Sequence, residues 1–197
     1  MKGEVRGDPA HIDAHWLTEA LEAAGVARGA AVTAVELAGF IGTGQTGRSA
    51  RLHLEWDQPE GRPASLVGKF PSGDEAAKAA AFQNGAYLTE WSFYQHLAPT
   101  LTIRHPQCYV ARYDHDTPDF VLLMEDLSGS VQGDQIDGLT IDQAALAVEQ
   151  VVGLHAPRWG DPTLQDFAGH RPRGEEAAML LGVVYGMMVE PFLARLG

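Results

Sequence analysis

The chain has 197 residues, with 14 Lys and Arg against 26 Asp and Glu and a net charge of −12. Such a surface repels nucleic-acid and anionic-lipid backbones, which excludes generic binding to either but leaves room for a local basic pocket that takes a small anion. At 45% apolar and 20% charged residues the chain is globular rather than disordered, and its single cysteine, Cys108, excludes an internal disulfide and a cysteine-based zinc site. The polar stretch Met1 to Asp13 lacks the apolar centre of a signal peptide. The longest apolar run, Ala177 to Val189, has 13 residues and two glycines, short of the ~18 that suggest a membrane span. A soluble protein of cytoplasmic type, with no nucleic-acid or membrane partner, is the expectation.

The first periodic segment is Ala10 to Ala24, where Trp16, Leu17 and Leu21 share a helical face and Gly25 stops it. Ala31 to Ile41 reads as a strand, followed by the turn Gly42-Thr43-Gly44-Gln45-Thr46-Gly47. Leu52, Leu54 and Trp56 then alternate with Arg51, His53 and Glu55, which is the period of a half-buried strand. Ser65 to Phe70 makes a third strand after the Pro/Gly turn Gln58 to Pro63. Asp74 to Leu97 is helical with a break at Gly85. Two further strands, Gln107 to Tyr113 and Asp119 to Met124, flank an Asp/Pro turn, and the second is apolar enough to be buried on both faces. Beyond Glu125 only helices are expected. Thr140-Ile141-Asp142-Gln143 is a capping box, opening a helix along which Ile141, Ala145, Val148 and Val152 share a face. Pro157 to Pro172 reads as irregular, and Glu175 to Leu196 as a helix kinked at Pro191. The fold class is therefore α+β, a five-stranded antiparallel lobe over residues 1–125 and a partial helical lobe over 126–197.

Three features carry possible chemistry. The string Gly42, Gly44, Gly47 has Gly-x-Gly-x-x-Gly spacing but runs into a strand, not a helix, so a dinucleotide fold is disfavoured over a hairpin that covers phosphates. An ordinary glycine-rich hairpin turn is the bland reading. Lys69 follows 22 residues beyond Gly47, within Leu66-Val67-Gly68-Lys69-Phe70, where a strand ammonium needs a partner or a ligand anion. A snorkelling lysine on an edge strand is its bland counterpart. Glu90 lies 21 residues further, on a helix, where any single glutamate is by default solvated.

Taken in order, the glycine loop, strand lysine, helix glutamate, apolar strand and linker resemble the protein-kinase-like fold. The wording is closest to its small-molecule branch of aminoglycoside phosphotransferases, choline kinases and ecdysteroid-kinase-like proteins. Glu90-Trp91-Ser92-Phe93-Tyr94 looks like that branch's helix signature, Phe120 to Leu127 like its hinge, and Leu154-His155-Ala156 like its first large-lobe helix. The resemblance spans roughly residues 15–160. It implies ATP as the nucleotide, with Lys69 on the α- and β-phosphates, Glu90 holding Lys69, and Gly42, Gly44 and Gly47 covering the phosphates. Glu125 and Leu127 would offer backbone groups to the adenine, with Met124 behind it. A small-molecule hydroxyl would be the acceptor.

The catalytic part of that pattern is missing. Phosphoryl transfer in this fold needs an Asp in a catalytic loop and an Asn and a second Asp on the metal. The only Asn, Asn84, precedes the hinge, and neither His155 nor His170 is followed by the required Asp. His11-Ile12-Asp13 precedes the nucleotide lobe, and Asp166-Phe167-Ala168-Gly169 carries an inserted alanine. The expectation is the front portion of a longer phosphotransferase, inactive alone, with Mg²⁺ bound only in the intact enzyme. A non-catalytic nucleotide- or partner-binding module is the alternative. On the reading of a front portion, the unpartnered apolar faces of Thr140 to Ala156 and Ala177 to Val189 favour a homodimer.

Overall fold

The computed structural model describes residues 4–196 except Thr43, Gln45, Gln132, Gln135 and residues 170–173, so the expectations placed on His170 and Pro172 lie outside the described residues. Five strands, β1 (Val32–Ile41), β2 (Gly47–Trp56), β3 (Ser65–Pro71), β4 (Cys108–Tyr113) and β5 (Phe120–Glu125), form one antiparallel sheet in the order β1-β2-β3-β5-β4. The fold is α+β. β1 to β3 form a meander, and β5 is inserted between β3 and β4, so β5 is covered on both faces and both edges. Its burial is accordingly near complete from Phe120 to Met124.

Each face of the sheet has its own core. Ala50, Leu52, Leu54 and Trp56 alternate inward from β2 and meet Leu66, Phe70, Val121 and Leu123 beneath α1 (Ala14–Ala23), which supplies Trp16, Leu17, Ala20 and Leu21. The helix starts at Ala14 rather than Ala10. Pro9–His11 forms a 3-10 turn, Ile12 is extended, and the Asp13 carboxylate accepts the Trp16 N–H at 2.8 Å as the true N-cap. On the other face, α2 (Glu75–Gln83) and α3 (Ala86–Ser92) pack Ala81 and Tyr87 on Phe120, Leu122 and Met124. Tyr87 stacks on Phe120 with ring centroids 4.5 Å apart. Helix α3 does not continue as an α-helix to Leu97. Phe93–Leu97 widens into a π-helical turn, a one-residue change of repeat that composition does not signal.

The C-terminal helices contrast with this. α4 (Ile141–His155) carries the expected capping box, with Gln143 N–H donating to Thr140 Oγ1 at 3.2 Å and Thr140 N–H to Gln143 Oε1 at 2.9 Å. It touches the rest of the chain where the Gly153 carbonyl accepts from Thr102 N–H, yet Ile141, Val148 and Val152 on its expected inner face are exposed. α5 (Glu175–Leu196) runs through Pro191 and is apolar on all sides. Its window Ala178–Arg195 keeps a mean hydropathy of 1.4 over 18 residues, because Phe192, Leu193 and Ala194 offset Glu190, Pro191 and Arg195 beyond the 13-residue apolar run. By length and composition this helix is long and apolar enough to cross a membrane, contrary to the expectation from the 13-residue run alone.

Candidate functional site

Strand pairing places the candidate residues. Ser49, Lys69 and Leu122 are cross-strand partners on β2, β3 and β5, and Arg51, Val67 and Met124 are the next such row. Partners in register share a face, and residues two apart along a strand share it too. Lys69, Arg51 and Met124 therefore lie on one face, the face that α3 covers in part. Gly47 closes this row at one end. A Cβ built on it would lie 2.9 Å from the Phe70 carbonyl and 3.6 Å from Lys69 Cε, so the lysine stem passes directly under that glycine.

The Lys69 ammonium donates to Glu90 Oε1 at 2.6 Å, and both side chains remain 28–29% exposed. An ion pair this open to water adds no more than about 1 kcal/mol to folding. Its value is geometric, since Glu90 takes one of three ammonium donors and leaves two for another acceptor. Gly42 has φ +75°, and a Cβ on Gly44 would strike the Gly47 carbonyl at 2.6 Å, so the turn itself demands both glycines. They argue for a tight hairpin by themselves. The lysine under Gly47 is the additional observation.

Helix α3 joins these parts. Tyr87, one turn before Glu90, donates from its hydroxyl to the Thr46 carbonyl at 2.7 Å and accepts the Ser72 N–H at 3.1 Å. One short helix thus holds the end of the glycine loop and the lysine. Burial pushes the Tyr87 hydroxyl above its ordinary pKa, against the opposing hydrogen bond from Ser72, so it stays a neutral donor. Tyr87 was not recognisable as a site residue, because a helix aromatic reads as core. Thr89 Oγ1 also donates to the Gly169 carbonyl at 3.2 Å, which brings Asp166-Phe167-Ala168-Gly169 to α3, although Asp166 itself is exposed.

At the other end, Met124 is buried in the α2–α3 core and forms a wall of the same face. Glu125 is more committed than its position suggests. Its N–H donates to the Gln107 carbonyl at 2.8 Å, and its carboxylate accepts from Gln107 N–H and from Arg104 at 2.7 Å. The Gln107 N–H first, then Arg104, hold that carboxyl below the ordinary glutamate range. The Glu125 N–H and carboxylate are thus both committed within the fold. The Leu127 carbonyl accepts from Ser130 N–H at 2.8 Å, and its own N–H has no partner among the described residues.

The residue between them, Asp126, is the one that sequence reasoning passed over. It is 5% exposed and accepts from Arg51 Nε at 2.8 Å, Arg51 Nη2 at 3.3 Å, Ser65 Oγ at 2.8 Å and Ser128 N–H at 2.9 Å. Burial acts to raise its pKa, but Arg51, Ser65 and Ser128 together hold it below the usual aspartate value. The candidate face thus runs from Lys69 to Ser65, four residues or about 13 Å of strand, with an ion pair at each end.

Two cavities of about 840 and 760 Å³ lie elsewhere. One follows edge strand β4 past Trp91 and His115, the other lies under residues 4–13 beside Arg48 and Lys78. Neither is lined by Lys69 or Glu90. Their linings show neither a strand lysine nor a glycine turn, so the chemistry favours the open Lys69 face over the larger hollows. Among the described residues no three His, Cys, Asp or Glu gather as metal ligands. Comparison with protein-family models and with curated proteins yields no match.

Proposed function

We propose that this chain is the ATP-binding portion of a protein-kinase-like phosphotransferase that transfers the γ-phosphate of ATP to a hydroxyl of a small molecule. The observation that carries the reading is the Lys69–Glu90 pair, 2.6 Å long, lying beneath Gly47. Lys69 turns its two remaining donors to the phosphates, Glu90 fixes its direction, and Gly42, Gly44 and Gly47 let backbone approach them. Met124 walls the adenine, which takes the Glu125 carbonyl and the Leu127 N–H. On this reading residues 1–125 form the nucleotide lobe and 126–197 the linker and first helices of a second lobe.

Magnesium does not fit the described residues. Glu90 is engaged by Lys69 and Asp126 by Arg51, and Asn84 Oδ1 accepts from Ala86 N–H in the turn between α2 and α3. The same observation favours a second reading, in which the chain binds adenine nucleotide or a partner without chemistry.

Calorimetric titration with ATP and adenosine, with and without Mg²⁺, tests the reading. We expect weak binding of both ligands, independent of Mg²⁺. Lys69→Met should weaken ATP about tenfold while leaving adenosine within about twofold, since only ATP presents phosphates to the ammonium. Equal loss of both ligands, or no binding by the unsubstituted chain, overturns it. Transfer of γ-phosphate to any hydroxyl by this chain overturns the inactive reading.

A further inference from the structure

The network around Asp126 is larger than a linker needs for its fold. Residues 126–130 make a short turn in which Ser128 N–H donates to Asp126 Oδ1 and Ser130 N–H to the Leu127 carbonyl. An Asx turn of this kind closes locally and requires only the aspartate. Here the same carboxylate also takes both arms of Arg51 and the Ser65 hydroxyl. Arg51 stands on β2, and Asp126 follows the end of β5, with β3 between them in the sheet. The guanidinium therefore crosses β3 to reach the linker. A planar fork on a carboxylate fixes direction as well as distance, which a lysine at that position could not do.

We propose that Arg51 and Asp126 are positioning residues that brace the linker against the sheet and so set the backbone groups of Glu125 and Leu127 toward the base, which makes affinity for the base, not for the phosphates, depend on this pair. The proposal rests on the nucleotide reading above. Its chemical basis is the placement of the two ion pairs along one face, with Lys69 at the phosphate end and Asp126, held by Arg51 from the next row and by Ser65 about 13 Å of strand from Lys69, at the base end. The groups flanking Asp126 in sequence are the two that a base has left to meet. Glu125 has spent its N–H on Gln107, and Leu127 has spent its carbonyl on Ser130. On that reading, the Glu125 carbonyl and the Leu127 N–H, two residues apart, would meet a ligand edge that offers one donor and one acceptor. Their spacing and angle follow from the residue between them, which is held by four hydrogen bonds. Releasing that residue leaves both groups in place chemically but no longer preorganised.

The test uses the whole chain and three variants, Arg51→Gln, Arg51→Lys and the exchanged pair Arg51→Asp with Asp126→Arg. Amide hydrogen exchange reads the brace without any ligand. In Arg51→Gln the Ser128 and Ser130 amides should exchange about tenfold faster while the β5 amides keep their protection, because only the linker turn is released. Titration then uses adenosine and inorganic tripolyphosphate as separate probes of the two ends. Arg51→Gln should weaken adenosine about tenfold and tripolyphosphate less than twofold. Arg51→Lys, which keeps the charge but loses the fork, should resemble Arg51→Gln, and the exchanged pair should recover part of the adenosine affinity. Unchanged exchange at Ser128 and Ser130 overturns the brace. Faster exchange with equal loss of both probes overturns the base-positioning role and leaves a structural one. A starting chain that takes neither probe overturns the nucleotide reading, and the base-positioning role with it, whereas the exchange result stands independently.

Discussion

The two ends of this chain use the same raw material in opposite ways. In the sheet half, Phe120 is fully buried between two helices and two strands; in α5, Phe192 is 59% exposed. The accessible surface totals 13206 Å², where a compact chain of 21.2 kDa has about 9,000 Å². The excess falls largely on α4 and α5, whose large apolar side chains dominate the exposed set. Local signals suffice to form a helix, since a capping box and an apolar stripe are short-range. Burying that helix requires a second surface, and the described residues do not provide one. A helix that is apolar all round belongs in a protein core or a membrane.

That contrast makes its sharpest statement in paired truncations. Phe120→Ala removes a fully buried ring stacked on Tyr87 and should cost about 3–5 kcal/mol in urea unfolding. Phe192→Ala removes the same atoms from an exposed site and should stay within about 0.5 kcal/mol. If Phe192→Ala destabilises the chain as much as Phe120→Ala, α5 is packed in solution and the contrast is broken.

Some of this was legible from residues alone, and the reasons are local. The alternation from Arg51 to Trp56 and the apolar run from Phe120 to Met124 identify β2 and β5, because the period and the absence of polar residues leave little choice. Lys69 stood out because a lysine between apolar strand neighbours needs a partner, and a helix glutamate was the nearest candidate in the pattern. Arg51 did not stand out. It shares with His53 and Glu55 what reads as a solvated face, and only the insertion of β5 beside β3 brings Asp126 within its reach. Choosing between Glu125 and Asp126 likewise required the pairing of β4 and β5, which turns Glu125 to Arg104 and leaves Asp126 to Arg51. Tyr87 was hidden for another reason. Its ring does core work while its hydroxyl does something else, and sequence records only the residue.

A middle-sized effect separates those two roles of Tyr87. Tyr87→Phe keeps the stacking on Phe120 but leaves the Thr46 carbonyl and the Ser72 N–H without their partner. Stability should fall by about 1–3 kcal/mol, the cost of partly buried polar groups left unpaired. On the nucleotide reading, ATP should weaken several-fold while adenosine is unchanged, because the released segment is the phosphate end of the glycine loop. Unaltered ATP affinity with the expected loss of stability would show that Tyr87 serves the fold alone.

The smallest effect is the most direct comparison of the two regions, because the chemistry is held constant. Asp74 caps α2 by accepting the Ala77 N–H at 2.8 Å, and Thr140 caps α4 by accepting the Gln143 N–H at 3.2 Å. Each cap satisfies one backbone donor that the first turn cannot, and its loss to alanine removes about 1 kcal/mol from the helix. What differs is whether the helix is coupled to anything. α2 contributes Ala81 to the core on Phe120 and Leu122, so fraying its first turn is felt by the whole cooperative unit. Asp74→Ala should therefore lower the global denaturation midpoint. α4 buries none of its residues, so its stability is its own. Thr140→Ala should leave the global midpoint unmoved and instead speed amide exchange throughout Ile141–His155, by about fivefold for a loss of that size. An isolated helix of this length is marginal in water, so it has little reserve from which to absorb the missing cap. Should Thr140→Ala lower the global midpoint as Asp74→Ala does, α4 folds as one unit with the sheet, and the division between the two regions lies further along the chain than their burial indicates.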